Sequence, residues 1–183
     1  MIRAFAALAL PEVVRSELLL VTEGLPLPRP EARPVPPENM HLTLVFLGEL
    51  PEPVVADIDA AFASVRAPAF PLAFGGLGLF GGARPRVAYA AVDGGEPLRR
   101  LQAKLDTAAR AAGMTEPARR YQPHVTLARL PERGLDRTRL ERAVAGRPGP
   151  VAPGFTVEDF RLYRSRLGAG GASYAELARY RLG

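Results

Sequence analysis

The chain has two histidines, His41 and His124, and both stand in the same short phrase. The first reads Asn39-Met40-His41-Leu42-Thr43-Leu44 and the second Gln122-Pro123-His124-Val125-Thr126-Leu127. One His-x-Thr-Leu is a common accident. Finding the only two histidines of 183 residues inside it, 83 positions apart, is not, and that separation suits two halves of a pseudo-symmetric fold. Each phrase follows a loop-like stretch containing proline and opens a strand. Period-two alternation then turns His41 and Thr43 to one face and Leu42 and Leu44 to the other, and it separates His124 and Thr126 from Val125 and Leu127 in the same way. With the halves facing each other, two imidazoles and two hydroxyls line one cleft. That set suits displacement at a phosphodiester without a metal. One imidazole takes a proton from the attacking water, the other gives one to the leaving oxygen, and the hydroxyls hold the non-bridging oxygens. The two phrases are nearly equivalent, so by themselves they leave open which histidine is the acid.

The elements that must carry these phrases follow from the apolar pattern. Residues 2–10 read as a buried strand ended by Pro11, which suits the first turn of a helix through Val13, Val14, Leu18 and Leu19. Residues 25–38 are proline-rich and read as an extended surface loop. A strand is expected over 41–47, a helix from about Pro53 to Val65, and strands over 70–74 and 86–92. The glycine-rich run Gly75-Gly76-Leu77-Gly78-Leu79-Phe80-Gly81-Gly82 between the last two reads as a loop. It lacks the Lys-Ser or Lys-Thr of a phosphate-binding loop, and Ala83-Arg84-Pro85 is a poor helix start. A long helix from Glu96 to Ala112 stops at Gly113. Then come a strand over 124–129, a short helix from Asp136 to Ala145, and two strands near 156–167 and 173–182 joined by Gly168-Ala169-Gly170-Gly171. Strands and helices without βαβ regularity predict an α+β fold with largely antiparallel sheets, and no break in composition divides residues 1–183 into two domains.

Composition narrows the chemistry further. The absence of cysteine excludes disulfides, thiolate nucleophiles and cysteine-ligated metals, and two histidines leave any zinc site to recruit carboxylates. No apolar run approaches the ~20 residues of a membrane span. The apolar stretch Ala4–Leu10 lacks a small-residue cleavage site and runs into Pro11-Glu12, so it reads as a strand rather than a leader, and a cytoplasmic protein is expected. The net charge of +5 permits a polyanionic partner without demanding one. The basic set holds 23 arginines and one lysine, Lys104. Arginine's fork suits phosphate, although a coding bias toward arginine and alanine gives the same count.

With these residues in view, the chain resembles the 2H phosphoesterase superfamily, and more closely the RNA 2′,3′-cyclic phosphodiesterases, also known as 2′-5′ RNA ligases. The resemblance rests on Arg3-Ala4-Phe5, the His41 phrase with Phe46-Leu47-Gly48, Gly75–Phe80, Pro123–Arg129, Leu162-Tyr163-Arg164-Ser165 and Tyr174. It implies a bilobal, pseudo-two-fold fold with helices outside and a cleft between lobes, one catalytic domain over 1–183 with its two motifs at 41–44 and 124–127. It implies hydrolysis of an RNA 2′,3′-cyclic phosphate to a 2′-phosphate with no cofactor. His41 would donate a proton to the departing 3′-oxygen, His124 would activate water, and Thr43 and Thr126 would hold the phosphate. Arg129 matches a family position that contacts phosphate, yet plain alternation puts it on the face opposite His124, so the strand must end or twist there. With an RNA 5′-hydroxyl in place of water, the same residues would form a 2′-5′ linkage reversibly and without ATP.

Other features have a packing reading beside a functional one. Arg119, Arg120 and Arg129 make a candidate phosphate-steering patch, and Arg164 and Arg166 alternate along one strand. Tyr121 is placed to stack on a base or to pack at the sheet edge, and packing is the expectation. Phe46 falls on the core face by alternation. Two alternatives stand beside RNA end hydrolysis. One keeps both histidines but acts on a small cyclic phosphate, such as ADP-ribose 1″,2″-cyclic phosphate, or on 2′-5′ oligoadenylate. The other, a non-catalytic RNA-binding module, would need arginines but not two imidazoles that titrate near neutrality. A monomer with an RNA partner and no membrane contact is expected.

Overall fold

The computed structural model describes residues 1–169 and 171–183, so Gly170, in the glycine run expected to join the last two strands, lies outside the described residues. The first half contains β1 (Ile2–Ala9), α1 (Glu12–Glu23), β2 (Arg33–Pro34), a single 3-10 turn (Pro37–Asn39), β3 (His41–Leu50) and α2 (Glu52–Ala63). The second contains β4 (Phe70–Phe80), β5 (Val87–Asp93), α3 (Gly95–Ala111), β6 (His124–Arg129), α4 (Arg137–Ala145), β7 (Phe155–Val157), β8 (Asp159–Gly168) and β9 (Gly171–Arg181). The α+β expectation holds: the described strands pair antiparallel in the order β7-β4-β5-β6-β3-β1-β8-β9, with β2 attached to β6.

Apolar spacing decides how the helices seat. In α3, Leu98, Leu101, Leu105 and Ala109 form one fully buried stripe, and the chain leaves the helix through Gly113 at φ +106, a conformation glycine adopts without strain. In α1, Val14, Leu18 and Val21 face inward, and Glu12 in the first turn complements the helix dipole. The loop over 25–38 is less irregular than its prolines suggest. Arg33 and Pro34 pair with Arg129 and Ala128, and the Val35 amide donates to the Leu127 carbonyl at 2.8 Å. The run expected as one strand near 156–167 is two, because β7 pairs with β4 whereas β8 pairs with β1 and β9.

The glycine-rich run is strand, not loop. β4 continues through Gly75, Gly76 and Gly78 to Phe80 with one irregularity between Phe74 and Leu77. Gly78 lies directly across from Tyr89, and a Cβ there would run into the tyrosine ring. Gly78 thins that face of the strand so that β5 can lay the Tyr89 ring across it.

A repeat of register underlies the pseudo-symmetry. In the β1–β3 pair, Ala9 faces His41, Leu8 faces Leu42 and Ala7 faces Thr43; Leu44 is then skipped and Ala6 faces Val45. In β5–β6, Ala91 faces His124, Ala90 faces Val125 and Tyr89 faces Thr126; Leu127 is skipped and Ala88 faces Ala128. The same bulge thus occurs at the same place in both motifs. The two motif strands meet where β3 and β6 pair through Leu42 and Val125, each wholly buried in the main core.

Candidate active site

The Leu42–Val125 pair fixes the site. Antiparallel register brings His41 beside Thr126 and Thr43 beside His124 across the seam, with all four side chains on the face away from the core. The two histidines are then diagonal neighbours, roughly 7–8 Å apart at the backbone. Both are partly exposed. The sequence expectation that the two motifs converge on one surface is met by this single cross-strand contact.

Each imidazole is held in the same way. The His41 Nδ1–H donates to the Asn39 carbonyl at 2.7 Å, and the His124 Nδ1–H donates to the Gln122 carbonyl at 2.7 Å. A carbonyl only accepts, so the proton sits on Nδ1 and leaves Nε2 as the unprotonated nitrogen of the neutral ring. In His41 that nitrogen accepts from the Thr43 hydroxyl at 3.1 Å. Aromatic rings bracket both histidines. Phe5 and Tyr174 lie 4.8 and 5.2 Å from His41, and Phe80 and Tyr89 lie 4.8 and 5.6 Å from His124. Burial holds the His41 imidazole below its ordinary pKa; the Asn39 carbonyl opposes this in part, and nearby His124 adds to it.

The bulges explain two side chains that plain alternation misplaces. In β6, Leu127 and Ala128 are both buried, so Arg129 emerges on the same side as His124 and Thr126, beside Arg33 of β2. In β3, Leu44 and Val45 are both buried, and Phe46 emerges 38% exposed instead of entering the core. The extra residue of a bulge reverses the phase of everything beyond it. Arg129 and Phe46 are therefore repeat-equivalent positions of opposite chemistry. The Arg3 guanidinium lies 5.0 Å from the Phe46 ring centre.

A cleft of about 500 Å³ runs from Thr43 and His124 past Phe46 and Phe80 to α3 and the stretch before β6, where Arg119 and Arg120 are exposed on its wall. Tyr121 also lines it but is mostly buried against the main core, in keeping with the packing reading; burial without a hydrogen-bond partner among the described residues pushes its hydroxyl pKa up. Arg164 and Arg166 share a face as alternation requires, but Arg164 stands opposite Ala4, while Phe5 and Tyr163 pair on the side bearing His41. Arg33, Phe5, Tyr89, Tyr174 and the role of Phe80 come from neighbouring strands, and no spacing within the motifs announces them. Among the described residues no group of three or more His, Cys, Asp or Glu is arranged to hold a metal ion, and no helix is long and apolar enough to cross a membrane.

Gly78 offers a local test of the bracket around His124. Gly78→Ala drives a methyl into the Tyr89 ring, which stacks on Phe80 at 4.0 Å, and should cost about 1–3 kcal/mol in stability as overpacking. Thermal denaturation of Gly78→Ala, Tyr89→Ala and the pair checks this. The double variant should be no less stable than Tyr89→Ala alone, whereas additive losses would show that the two residues do not meet.

Comparison with known proteins places this arrangement. A model of the 2′-5′ RNA ligase superfamily matches residues 27–169. An RNA 2′,3′-cyclic phosphodiesterase of Thermus thermophilus is 36% identical over 196 aligned positions, covering 98% of this chain and 90% of that protein. One of Aeropyrum pernix is 41% identical over 95 residues, and there the chain spans about half the length of its relative, 54%. In structure, E. coli LigT complexed with 3′-AMP superposes with a TM-score of 0.80 at 27% identity, covering 99% of this chain and 98% of the other.

Proposed function

The chain belongs to the 2′-5′ RNA ligase superfamily, and from that premise we propose that it hydrolyses RNA 2′,3′-cyclic phosphate ends to 2′-phosphates with its two imidazoles and no metal. The observation that carries this reading is the matched pair of histidines, each tied at Nδ1 to a carbonyl and presenting Nε2 to one surface. The cyclic phosphate lies between them. His124 Nε2 takes a proton from water as its oxygen bonds to phosphorus; the bond to O3′ breaks, and protonated His41 gives O3′ its Nε2 proton. The Nδ1 bonds serve both imidazoles whether charged or neutral, because Nδ1 keeps its proton throughout. Thr43 and Thr126 donate to the non-bridging oxygens, and Arg129 with Arg33 offers positive charge at the end of β6. Substituting an RNA 5′-hydroxyl for water gives a 2′-5′ linkage by the same bond changes. Water in excess favours hydrolysis.

The cleft beside His124 suits the nucleoside at the chain end. Phe46 gives an exposed aromatic face, and Arg119 and Arg120 meet upstream phosphates. E. coli LigT, of the same fold, has been solved in complex with 3′-AMP, which supports a nucleotide ligand. Of the alternatives, both using the same histidines, ADP-ribose 1″,2″-cyclic phosphate lacks a longer polyanionic chain for those arginines, whereas 2′-5′ oligoadenylate has such a chain but no strained cyclic phosphate. Initial rates on these two and on a short RNA with a cyclic end test the assignment. RNA should show the highest kcat/KM, and Arg119→Ala with Arg120→Ala should lower it for RNA but not for ADP-ribose 1″,2″-cyclic phosphate. A higher kcat/KM for a small cyclic phosphate would move the assignment there.

The pH profile carries its own prediction. Catalysis needs the pair to hold one proton, so kcat/KM should trace a bell whose limbs belong to both histidines together. Burial lowers His41, so the acid limb of kcat/KM, which reports the substrate-free protein, should lie below the ordinary imidazole value of 6.5. A bound phosphate anion stabilises the His41 cation, which moves the acid limb of kcat to higher pH. Parallel kcat and kcat/KM profiles check this, and coincident acid limbs would contradict it.

A further inference from the structure

Two amides stand at equivalent points of the repeat. Asn39 precedes His41 by two residues, Gln122 precedes His124 by two, and they are 83 positions apart like the histidines. Their main-chain carbonyls make the matched 2.7 Å bonds that hold Nδ1. Their side chains do something further. The Asn39 Nδ2 donates to the Ala172 carbonyl at 2.8 Å, on β9 two residues before Tyr174, whose ring meets His41 edge-on at an interplanar angle of 88°. The Gln122 Nε2 donates to the Tyr89 hydroxyl at 3.3 Å, and the Tyr89 ring packs against His124 at 68°. In both halves one residue thus grips the imidazole with its carbonyl and, with its amide, the element that supplies the ring beside that imidazole.

Building on the two-imidazole reading, we infer that Asn39 and Gln122 are positioning residues, each tying the carbonyl that orients one histidine to the aromatic wall beside it. Neither touches the reacting atoms. Asn39 ends a single 3-10 turn, and Gln122 lies in the irregular stretch between α3 and β6. A carbonyl on such a segment is only as fixed as the segment, and a bond to a separate strand removes that freedom. Orientation matters because Nε2 must meet phosphate-bound groups within hydrogen-bond distance, and small misplacements of catalytic groups are costly. The two clamps are unequal. The Asn39 bond is shorter and partly buried, whereas the Gln122 bond is longer and exposed, so losing Asn39 has the larger effect.

With only two histidines, each imidazole can be read separately by proton–nitrogen NMR of the intact, substrate-free protein at pH 8. In the parent protein both rings should show the Nδ1–H form. Asn39→Ala should shift and broaden the His41 ring signals and leave those of His124 in place; Gln122→Ala should do the reverse. Tyr89→Phe keeps the ring, deletes the acceptor and should reproduce Gln122→Ala, so the inference stays testable if an Asn39 variant fails to fold. In turnover, Asn39→Ala should lower kcat roughly tenfold with little change in KM, and Asn39→Asp, which cannot donate to Ala172, should not restore it. Ring signals unmoved in their own variants, or both rings moved equally by either, would overturn the inference. A parent protein that shows the two selective responses yet turns over no cyclic phosphate would instead refute the proposed reaction and leave the clamps standing.

Discussion

Replacing His41 or His124 by alanine should lower kcat on a cyclic phosphate end by about 10²–10⁴-fold, the usual worth of one general acid or base. The fold should survive either change. Both side chains lie on the face away from the core and are partly exposed, and neither makes an ion pair among the described residues. The local losses are the carbonyl bond at Nδ1, the ring contacts with Phe5 and Tyr174 or with Phe80 and Tyr89, and, for His41, the bond from the Thr43 hydroxyl. The double variant should be little worse than the poorer single. In the proposed reaction each proton transfer is useful only when the other occurs in the same displacement, so the two residues would act as a unit and their effects should not multiply. Single-turnover rates with circular dichroism on the same samples check this. A single variant that keeps near-parental kcat would remove that histidine from the reaction.

The second large effect is expected at the seam. Leu42 and Val125 form the cross-strand pair between β3 and β6, both side chains fully buried, and their register sets the spacing of the two imidazoles. Leu42→Ala should cost about 2–5 kcal/mol through lost burial and the cavity left behind. It should also lower kcat well below normal at temperatures where the protein is still folded, because the strands that carry the histidines lose their shared contact. Leu98→Ala, in the fully buried stripe of α3 and outside the cleft lining, is the control: a comparable stability loss with kcat near normal. Denaturant titration and kcat for both variants decide the matter. Equal kcat losses would mean that the seam has no special part in placing the histidines.

Why the motifs were legible and their surroundings less so follows from where each is encoded. Alternation within a strand is local, so His41, Thr43, His124 and Thr126 could be assigned to shared faces from four residues at a time, and the structure agrees. A bulge is not local. It exists only between a strand and its partner, and the skipped residues Leu44 and Leu127 look like ordinary apolar positions. Plain alternation therefore sent Phe46 into the core and left Arg129 on the wrong face. The glycine run failed for a related reason. Glycine reads as loop until the cross-strand neighbour is known, and here that neighbour is the ring of Tyr89. Arg33 was hidden in a proline-rich stretch whose two paired residues are too few to leave a periodic signal. Asn39 and Gln122 stood inside the recognised phrases, but a main-chain carbonyl carries no sequence signature of its role.

The central claim is that two imidazoles open the cyclic phosphate without a metal. The most direct measurement follows a short RNA ending in a 2′,3′-cyclic phosphate by phosphorus NMR, with excess chelator present, using the parent protein and His124→Ala. The parent protein should convert the substrate to a single 2′-phosphomonoester at an undiminished rate, and the variant should do so about 10²–10⁴-fold more slowly. A 3′-phosphomonoester, or turnover that the chelator abolishes and added metal restores, would contradict it.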